Sequence, residues 1–334
     1  MMFVILSISC EKLVVQSPQT NVNVEDFEFA WGRINEVYPL LEFKKIDWDS
    51  VYAIYHPMAR AARGDEIYQV LHDVLGLLKD PHVFYLNEGG GVVFPFVSPR
   101  MLRERYAYSP YLVRKYFDQE LRLACRDKVE YGILDGDIGY IYIATFNDDG
   151  LLDDFYQVMD HMAGSKGLII DVRHNNGGLS ENIRVIVSRF ISSTLEWPKA
   201  YTKGGNPYTK DAIQPDVDRF RYDNPVVILI NGASLSGAEL FPELMKQLSN
   251  VTVIGDTTAG GGCNDVDENI QGDYWLPSGK YIHIGTTYVL RYDGQPIESN
   301  GVPPDIRITQ SAADIQNGHD RQLEHAISLL KKLQ

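Results

Sequence analysis

The sequence has no run of about eighteen or more apolar residues, so no transmembrane helix is expected. It has no basic excess: 31 Lys and Arg stand against 45 Asp and Glu, a net charge of -14. Neutralising a phosphate backbone needs a basic face, so a nucleic-acid partner is excluded. Cysteine is scarce, at three residues, and those and the eight histidines are scattered without the spacing of metal ligands. A metal site and metal-assisted hydrolysis are therefore not expected, and no cofactor is called for. What remains is ordinary globular composition, 44% hydrophobic and 23% charged over 334 residues. That length buries one large core, or one large core with a smaller companion.

The first residues, Met1-Met-Phe-Val-Ile-Leu-Ser-Ile-Ser-Cys10, form a short apolar segment ending in small residues and a cysteine. They resemble the tail of a bacterial lipoprotein signal, in which that cysteine is lipidated, although the basic n-region of such signals is missing. On this reading the chain is exported to the cell envelope and touches a membrane only through a lipid on Cys10. Residues 1–23 are then a signal remnant and tether. The alternative is a frayed strand with a chance cysteine. Cys125 and Cys263 lie 138 residues apart, and either pair or stand as two separate buried thiols.

The spacing of Phe27, Ala30, Trp31, Ile34 and Val37 predicts a helix closed by Pro39. Asp47 offers a cap for a second helix. Asp65 offers one for a third, whose stripe runs through Ile67, Val70, Leu71, Val74, Leu75 and Leu78 before Pro81 and His82. Residues 24–86 thus read as an N-terminal helical domain. Residues 87–128, with a glycine triplet, several prolines and a basic-aromatic run from Arg100 to Lys115, read as a connecting segment of loops and one helix. From 129 to 334 the pattern is that of an α/β core. Asp135-Gly136 marks a hairpin between 131–134 and 138–143. Apolar strands at 167–171, 225–230 and 251–254 alternate with helices near 150–163, 180–192 and 237–248, which implies parallel βαβ units. Two antiparallel strands over 273–292 and a helix over 312–332 complete the chain.

Parallel strands present working residues at their carboxyl ends, where loops enter helices. Ser236, in Asn231-Gly-Ala-Ser-Leu-Ser236-Gly-Ala-Glu-Leu240, stands at such a place. There it meets unsatisfied N–H groups and the positive end of a helix dipole, which can hold a developing oxyanion. The competing reading is structural, because Ser236 with Glu239 fits the Ser-x-x-Glu capping box. The strand 167–171 ends in Val172-Arg-His-Asn-Asn-Gly-Gly178, and two such ends side by side would supply backbone donors from two directions.

Four runs occur in order: Asp171-Val-Arg-His-Asn-Asn-Gly-Gly, Asn231-Gly-Ala-Ser-Leu-Ser-Gly-Ala-Glu, Val253-Ile-Gly-Asp-Thr-Thr-Ala-Gly and Glu298-Ser-Asn-Gly-Val-Pro-Pro-Asp305. Together with Ile46-Asp-Trp-Asp-Ser-Val-Tyr and Leu78-Lys-Asp-Pro-His82, they resemble the carboxy-terminal processing (tail-specific) serine peptidase family over roughly residues 25–310. The family shares its core with the tricorn peptidase. The resemblance implies a crotonase/ClpP-like βαβ mixed-sheet core and makes Ser236, rather than Ser234, the nucleophile. One branch of the family uses a lysine base about 25 residues after the serine. Here that position is Gly261, and no lysine lies between Lys246 and Lys280. The tricorn-like branch uses a histidine and a glutamate, which match His82 as base and Glu298 as its orienting partner, direct or bridged. The serine that precedes that histidine in tricorn is Pro81 here. His174 is the rival base. The backbone N–H groups of Gly237 and Gly177 are the expected oxyanion donors.

The implied activity is a serine endopeptidase acting on peptides or unfolded polypeptides through a Ser-His-Glu type site. Only about 45 residues separate His82 from Val129, too few for the PDZ domain that many relatives carry. The arginines of 100–105 and Lys115 either meet a substrate carboxylate or form a solvated loop. Two other readings stay open at this point. One is a non-catalytic protein binding peptides or apolar ligands on the same fold. The other is a crotonase-like acyl-CoA enzyme, which the helical domain and the export signal count against.

Overall fold

The computed structural model describes residues 21–147, 151–208, 210–264 and 272–334. Cys10 and the side chain of Cys263 lie outside them; Cys125 is buried. Three helices open the chain: α1 (Val22–Val37), α2 (Trp48–Ala61) and α3 (Ile67–Gly76). Asp47 caps α2 as expected, its carboxylate accepting the Ser50 N–H at 3.1 Å. Trp31 and Trp48 each donate their indole N–H to the other's carbonyl, which locks α1 to α2. Asp65 does not cap α3. It lies within a short 3-10 turn, Gly64–Glu66, and the carboxylate that closes this turn is Glu66, which accepts the Arg63 N–H.

Strands β1 (Phe84–Leu86) and β2 (Val92–Val93) follow, then helices α4 (Pro99–Glu104) and α5 (Pro110–Arg114) and strand β3 (Arg122–Ala124). The connecting segment therefore holds two helices, each opened by a Ser-Pro pair, where the sequence reading expected one. Proline suits the first helical position because its missing N–H would be unpaired there anyway. At its two leading arginines the basic run is tied to the core, although Arg103 remains exposed. Arg100 Nη1 donates to Ser299 O at 3.2 Å, and Arg103 Nη2 to Asp256 at 2.8 Å.

The core adds β4 (Val129–Leu134), β5 (Ile138–Ile143), α6 (Leu151–Met162), β6 (Gly167–Asp171) and α7 (Ser180–Ser188). Then come β7 (Ala200–Thr202), β8 (Pro207–Tyr208), β9 (Val226–Ile230), α8 (Gly237–Met245) and β10 (Val251–Gly255). The chain finishes with β11 (Cys263–Asn264), β12 (Asp273–Trp275), β13 (Tyr281–His283), β14 (Thr287–Val289), β15 (Ile306–Arg307), α9 (Ala312–Gln316) and α10 (Arg321–Leu333). The central sheet runs β15-β10-β9-β6-β5-β4-β3, parallel from β15 to β5 and antiparallel beyond. It is the mixed α/β sheet that the alternation implied. Leu168, Ile170, Val226, Ile228 and Ile230 pack on the face with Phe155, Ile183 and Phe241, whereas Ile169, Val227 and Leu229 pack on the face with Leu323 and Leu330. Both faces are dry, so these strands are apolar throughout rather than alternating.

Two expectations change. The expected antiparallel pair forms as β12 and β13 about the turn at 277–280, but it ends at His283: it joins β1 and β2, while β14 beyond it joins β7, β8 and β11. Ile282 and Ile284 thus complete the core of the N-terminal helices. Asp26 of α1 fixes that hairpin by accepting the Ser278 N–H and hydroxyl at 2.9 and 2.6 Å. The final helix breaks at Gly318, whose φ of 85° ends α9, and Asp320 caps a new start by accepting the Leu323 N–H at 3.0 Å.

At the end of β6 the buried Arg173 guanidinium donates to both Asp171 oxygens, and to Asp320 at 2.8 Å. Those two carboxylates hold its pKa well above the ordinary value. Removing the cation strands two buried charges. Arg173→Ala should therefore cost about 3–5 kcal/mol in urea unfolding, and a loss below about 1 kcal/mol would contradict this account.

Candidate active site

Residues Asp171 of β6 and Leu229 of β9 are register partners, so the loops that follow these strands lie side by side. In the loop after β9, Ser234 is fully buried and committed: its hydroxyl donates to Val172 O at 2.8 Å and accepts the Asn231 N–H at 3.1 Å. Ser236 differs in kind. Its backbone is at φ 59° and ψ −119°, a region that costs a non-glycine residue about 1–3 kcal/mol. Its side chain stands over the first turn of α8 in the manner of a capping box, yet the Glu239 N–H bonds the Ser236 carbonyl at 2.8 Å instead of the hydroxyl.

Glu239 holds that strained turn. Fully buried, its carboxylate accepts the Ser236 N–H at 3.0 Å, the Gly260 and Gly261 N–H groups at 2.8 Å each, and the Thr258 hydroxyl at 2.6 Å. Burial raises its pKa and these four donors pull it back down.

The loop after β6 is fixed by Asn175, whose amide donates to Ile143 O at 2.9 Å and whose carbonyl oxygen accepts the Gly177 N–H at 2.7 Å. Gly177 and Gly178 sit at φ 89° and 137°. A Cβ on Gly177 would fall 2.6 Å from both Ser236 Cβ and Gly237 N, so only glycine lets the two loops meet. The Gly177 N–H is thus already spent on Asn175 and is not a free donor. Gly178 supplies one instead. Among the described residues neither the Gly178 nor the Gly237 N–H has a partner, and Gly178 N lies 3.2 Å from where a Gly237 Cβ would stand.

His82 enters from the turn between α3 and β1. Asp80 accepts the His82 N–H at 2.9 Å and the Tyr38 hydroxyl at 2.9 Å. The ring is only 15% exposed, and among the described residues both of its nitrogens lack a hydrogen-bond partner. Burial lowers its pKa, against the pull of Asp80. The Ser236–His82 hydrogen bond is therefore not made at rest. The two are nonetheless neighbours of one residue. Gly261 shares the Glu239 Oε2 acceptor with Ser236, and a Cβ on Gly261 would lie 3.1 Å from His82 Cε1 and 2.4 Å from Leu235 Cδ1.

Glu298 does not bond His82. It is fully buried, accepting Lys44 Nζ at 2.5 Å and the Gly262 N–H at 2.9 Å. Lys44 also donates to Tyr38 Oη and Leu78 O. The carboxylate nearest His82 is Asp80, with Oδ1 3.8 Å from Nδ1. His174, the rival base, stacks on Tyr108 at 4.9 Å between centroids and does not line the cleft that His82 borders.

Residues 137–308, just over half the chain, match the family model of peptidase family S41. The chain belongs to peptidase family S41. Residues 23–76 match the tricorn protease C1 domain. The chain is 27% identical over 175 residues to the carboxy-terminal processing protease CtpA of Bacillus subtilis, covering 52% of this chain and 35% of that one. It is 26% identical over 197 residues to the tricorn protease of Thermoplasma acidophilum, covering 58% of this chain and 17% of that one. Among solved structures, a peptidase candidate from Parabacteroides merdae superposes with a TM-score of 0.78 at 28% identity, over 92% of this chain and 96% of that one. The chain thus spans well under half the length of the two curated relatives.

A side chain at Gly261 would need the space that the His82 ring and Leu235 fill. Sequence reading missed Asp80, Lys44, Tyr38 and the wider role of Glu239. Asp80 was visible in Lys-Asp-Pro-His82, and Glu239 was seen only as a helix cap. Lys44 carried no signal, because its partner lies 254 positions away.

Burial, then the charge of Asp80, lifts the Glu298 pKa from 4.5 to about 8, with Lys44 opposing. Between those values the folded chain keeps a proton that the unfolded chain has lost. Stability from this group is therefore complete below its unfolded pKa and declines as pH rises toward the folded one. Glu298→Gln preserves the neutral shape and should flatten that decline in urea unfolding measured from about pH 5 to about pH 8.5. An unchanged slope would show that Glu298 titrates as an ordinary carboxylate.

Proposed function

We propose that the chain is a serine endopeptidase acting on peptides or unfolded polypeptides, with Ser236 as nucleophile and His82 as general base. The observation that carries this is the strained Ser236 backbone beside two unpartnered N–H groups, those of Gly237 and Gly178. Strain of this kind persists only where surrounding structure over-determines it, and here Glu239 does so.

In the proposed reaction, His82 removes the Ser236 hydroxyl proton as Oγ attacks the scissile carbonyl carbon. With Nδ1 turned toward Asp80, the abstracting atom is Nε2. The oxyanion then rests on the Gly237 and Gly178 amides. Collapse breaks the C–N bond, and His82 returns its proton to the departing amine. Water, activated by the same ring, then frees the acyl group from Ser236. The lowered His82 pKa keeps the ring neutral and ready to accept a proton near pH 7.

Asp80 is the carboxylate that can steady the cationic ring once a small movement closes the 3.8 Å gap. Glu298 acts one step behind, holding Lys44 against Tyr38 and the Leu78 carbonyl and so fixing the turn that carries Asp80 and His82. This replaces a direct Glu298–His82 contact with an ordered chain from Glu298 through Lys44 and Tyr38 to Asp80.

Ser236→Ala should abolish both peptide hydrolysis and labelling by a fluorophosphonate probe, with the fold retained by circular dichroism. His82→Ala should cost nearly as much, since members of such a site act as a unit. Asp80→Asn should lower kcat by about 10²-fold or more, further than Glu298→Gln does. Labelling that survives Ser236→Ala, or a larger loss from His174→Ala than from His82→Ala, would overturn the assignment. Gly261→Ala should push His82 and Leu235 aside, and a displacement on the ångström scale lowers kcat/KM by about 100-fold. Full activity in that variant would mean that the ring does not need its present seat.

A further inference from the structure

Beside Ser236 opens a cleft of about 480 Å³. Its apolar wall is made by Phe84, Phe94, Phe96, Val97, Met101 and Leu235, and His82 stands at its edge. Leu235 immediately precedes Ser236, and Phe84 lies two residues after His82, so the wall is carried by the same stretches of chain as the site. Phe84 is braced from behind by His283, stacked at 4.7 Å, and meets Phe94 at 5.7 Å. The polar lining consists of the amides of Asn147 and Asn176 and the imidazoles of His82 and His283, the last with its Nδ1 on Asp273 at 2.8 Å. Among the described residues no Asp, Glu, Lys or Arg lines the cleft. The nearby arginines that could have met an acidic side chain or a terminal carboxylate, Arg100 and Arg103, are instead tied to Ser299, Thr258 and Asp256.

We infer that this cleft selects substrates carrying a bulky apolar side chain, aromatic or long aliphatic, at a position flanking the scissile bond. The inference rests on the serine-peptidase reading and names the substrate class of that site. An apolar side chain entering here sheds water against six apolar side chains. A Lys, Arg, Asp or Glu side chain would lose its hydration and find no Asp, Glu, Lys or Arg in the lining to pair with, which penalises it. Small side chains are accepted poorly, because a volume of this size leaves them without contacts. Phe94 and Val97 are 49% and 41% exposed, so the apolar surface continues outward from the cleft. That favours extended or unfolded polypeptide over a folded loop as the bound form. Four of the six wall residues come from 94–101, which makes the connecting segment the specificity element of the chain.

Cleavage of a randomised peptide library by the full chain, read by mass spectrometry, tests this. Phe, Tyr, Leu and Met should be enriched about tenfold or more at one of the two positions flanking the cut, with Lys, Arg, Asp and Glu depleted there. Met101→Glu, at a half-buried position, should lower kcat/KM for an aromatic peptide by about tenfold or more and raise the relative acceptance of Lys. Cleavage with no apolar enrichment at either position, or a Met101→Glu profile identical to that of the wild type, would overturn the inference while leaving the peptidase reading intact. If no peptide is cleaved and no fluorophosphonate label is taken up, the peptidase reading is what fails. A separate arm then decides the cleft: Ser236→Ala protein should bind a Phe-centred peptide about tenfold or more tighter than its Lys-centred counterpart by fluorescence anisotropy. Equal binding of the two would also overturn the inference.

Discussion

The buried carboxylate of Glu239 is the contact on which the rest of the site depends. Taken alone, burying a carboxylate is costly, and here burial does push its pKa upward. Four donors offset that cost: the amides of Ser236, Gly260 and Gly261, and the Thr258 hydroxyl. Because those donors come from two separate loops, one side chain fixes both the nucleophile turn and the strip of chain that lies against His82. Serine at positive φ would relax toward an ordinary helix start if its amide were released. The capping-box pattern in the sequence and the strained serine are therefore one device, in which the glutamate half of the box is kept and the Glu239 N–H bonds the Ser236 carbonyl rather than its hydroxyl.

A second constraint comes from the meeting of the N-terminal unit with the core. His82, Asp80, Lys44 and Tyr38 all belong to the first, and Glu298, Gly261 and Gly262 to the second. Lys44 is a single buried cation facing two buried carboxylates, Asp80 and Glu298. Burial lifts the Glu298 pKa to about 8, and a protonated carboxyl there is cheaper to bury than a charged one. Asp26 strengthens the junction by gripping Ser278, so the hairpin of β12 and β13 serves the N-terminal unit even though it lies late in the chain.

Much of this was legible beforehand because the informative features are local. Strands buried on both faces appear as unbroken apolar runs, as in Val226–Ile230, and a glycine pair after such a strand marks a tight loop. Ser236 could be placed at a strand end from its neighbours alone. What escaped were pairings across long separations and the choice between adjacent groups. Nothing in 273–292 shows that the hairpin of β12 and β13 continues onto β1 while β14 joins another sheet, because strand pattern reports burial and not partner. Gly177 and Gly178 look alike in sequence; the difference is that Asn175 reaches back two residues to take one amide and not the other. Glu298 and Asp80 were likewise both carboxylates near the site, and only the fold shows which of them Lys44 occupies.

The identity of the base is also a packing decision. On the family resemblance, Gly261 stands where the processing branch would carry its lysine. In this chain even a single carbon at Gly261 would meet Leu235 at 2.4 Å, Pro81 at 2.9 Å and His82 at 3.1 Å. Relieving such overlaps in a packed interior requires displacement of neighbours. One of the three is the imidazole itself, and another borders the substrate cleft. A side chain at 261 and the imidazole of His82 thus compete for one volume, so the ring keeps its present seat only with glycine there. Pro81 follows from the same crowding. It stands in van der Waals range of Gly261, helps hold the turn at Asp80, and leaves no hydroxyl in the space between the two loops.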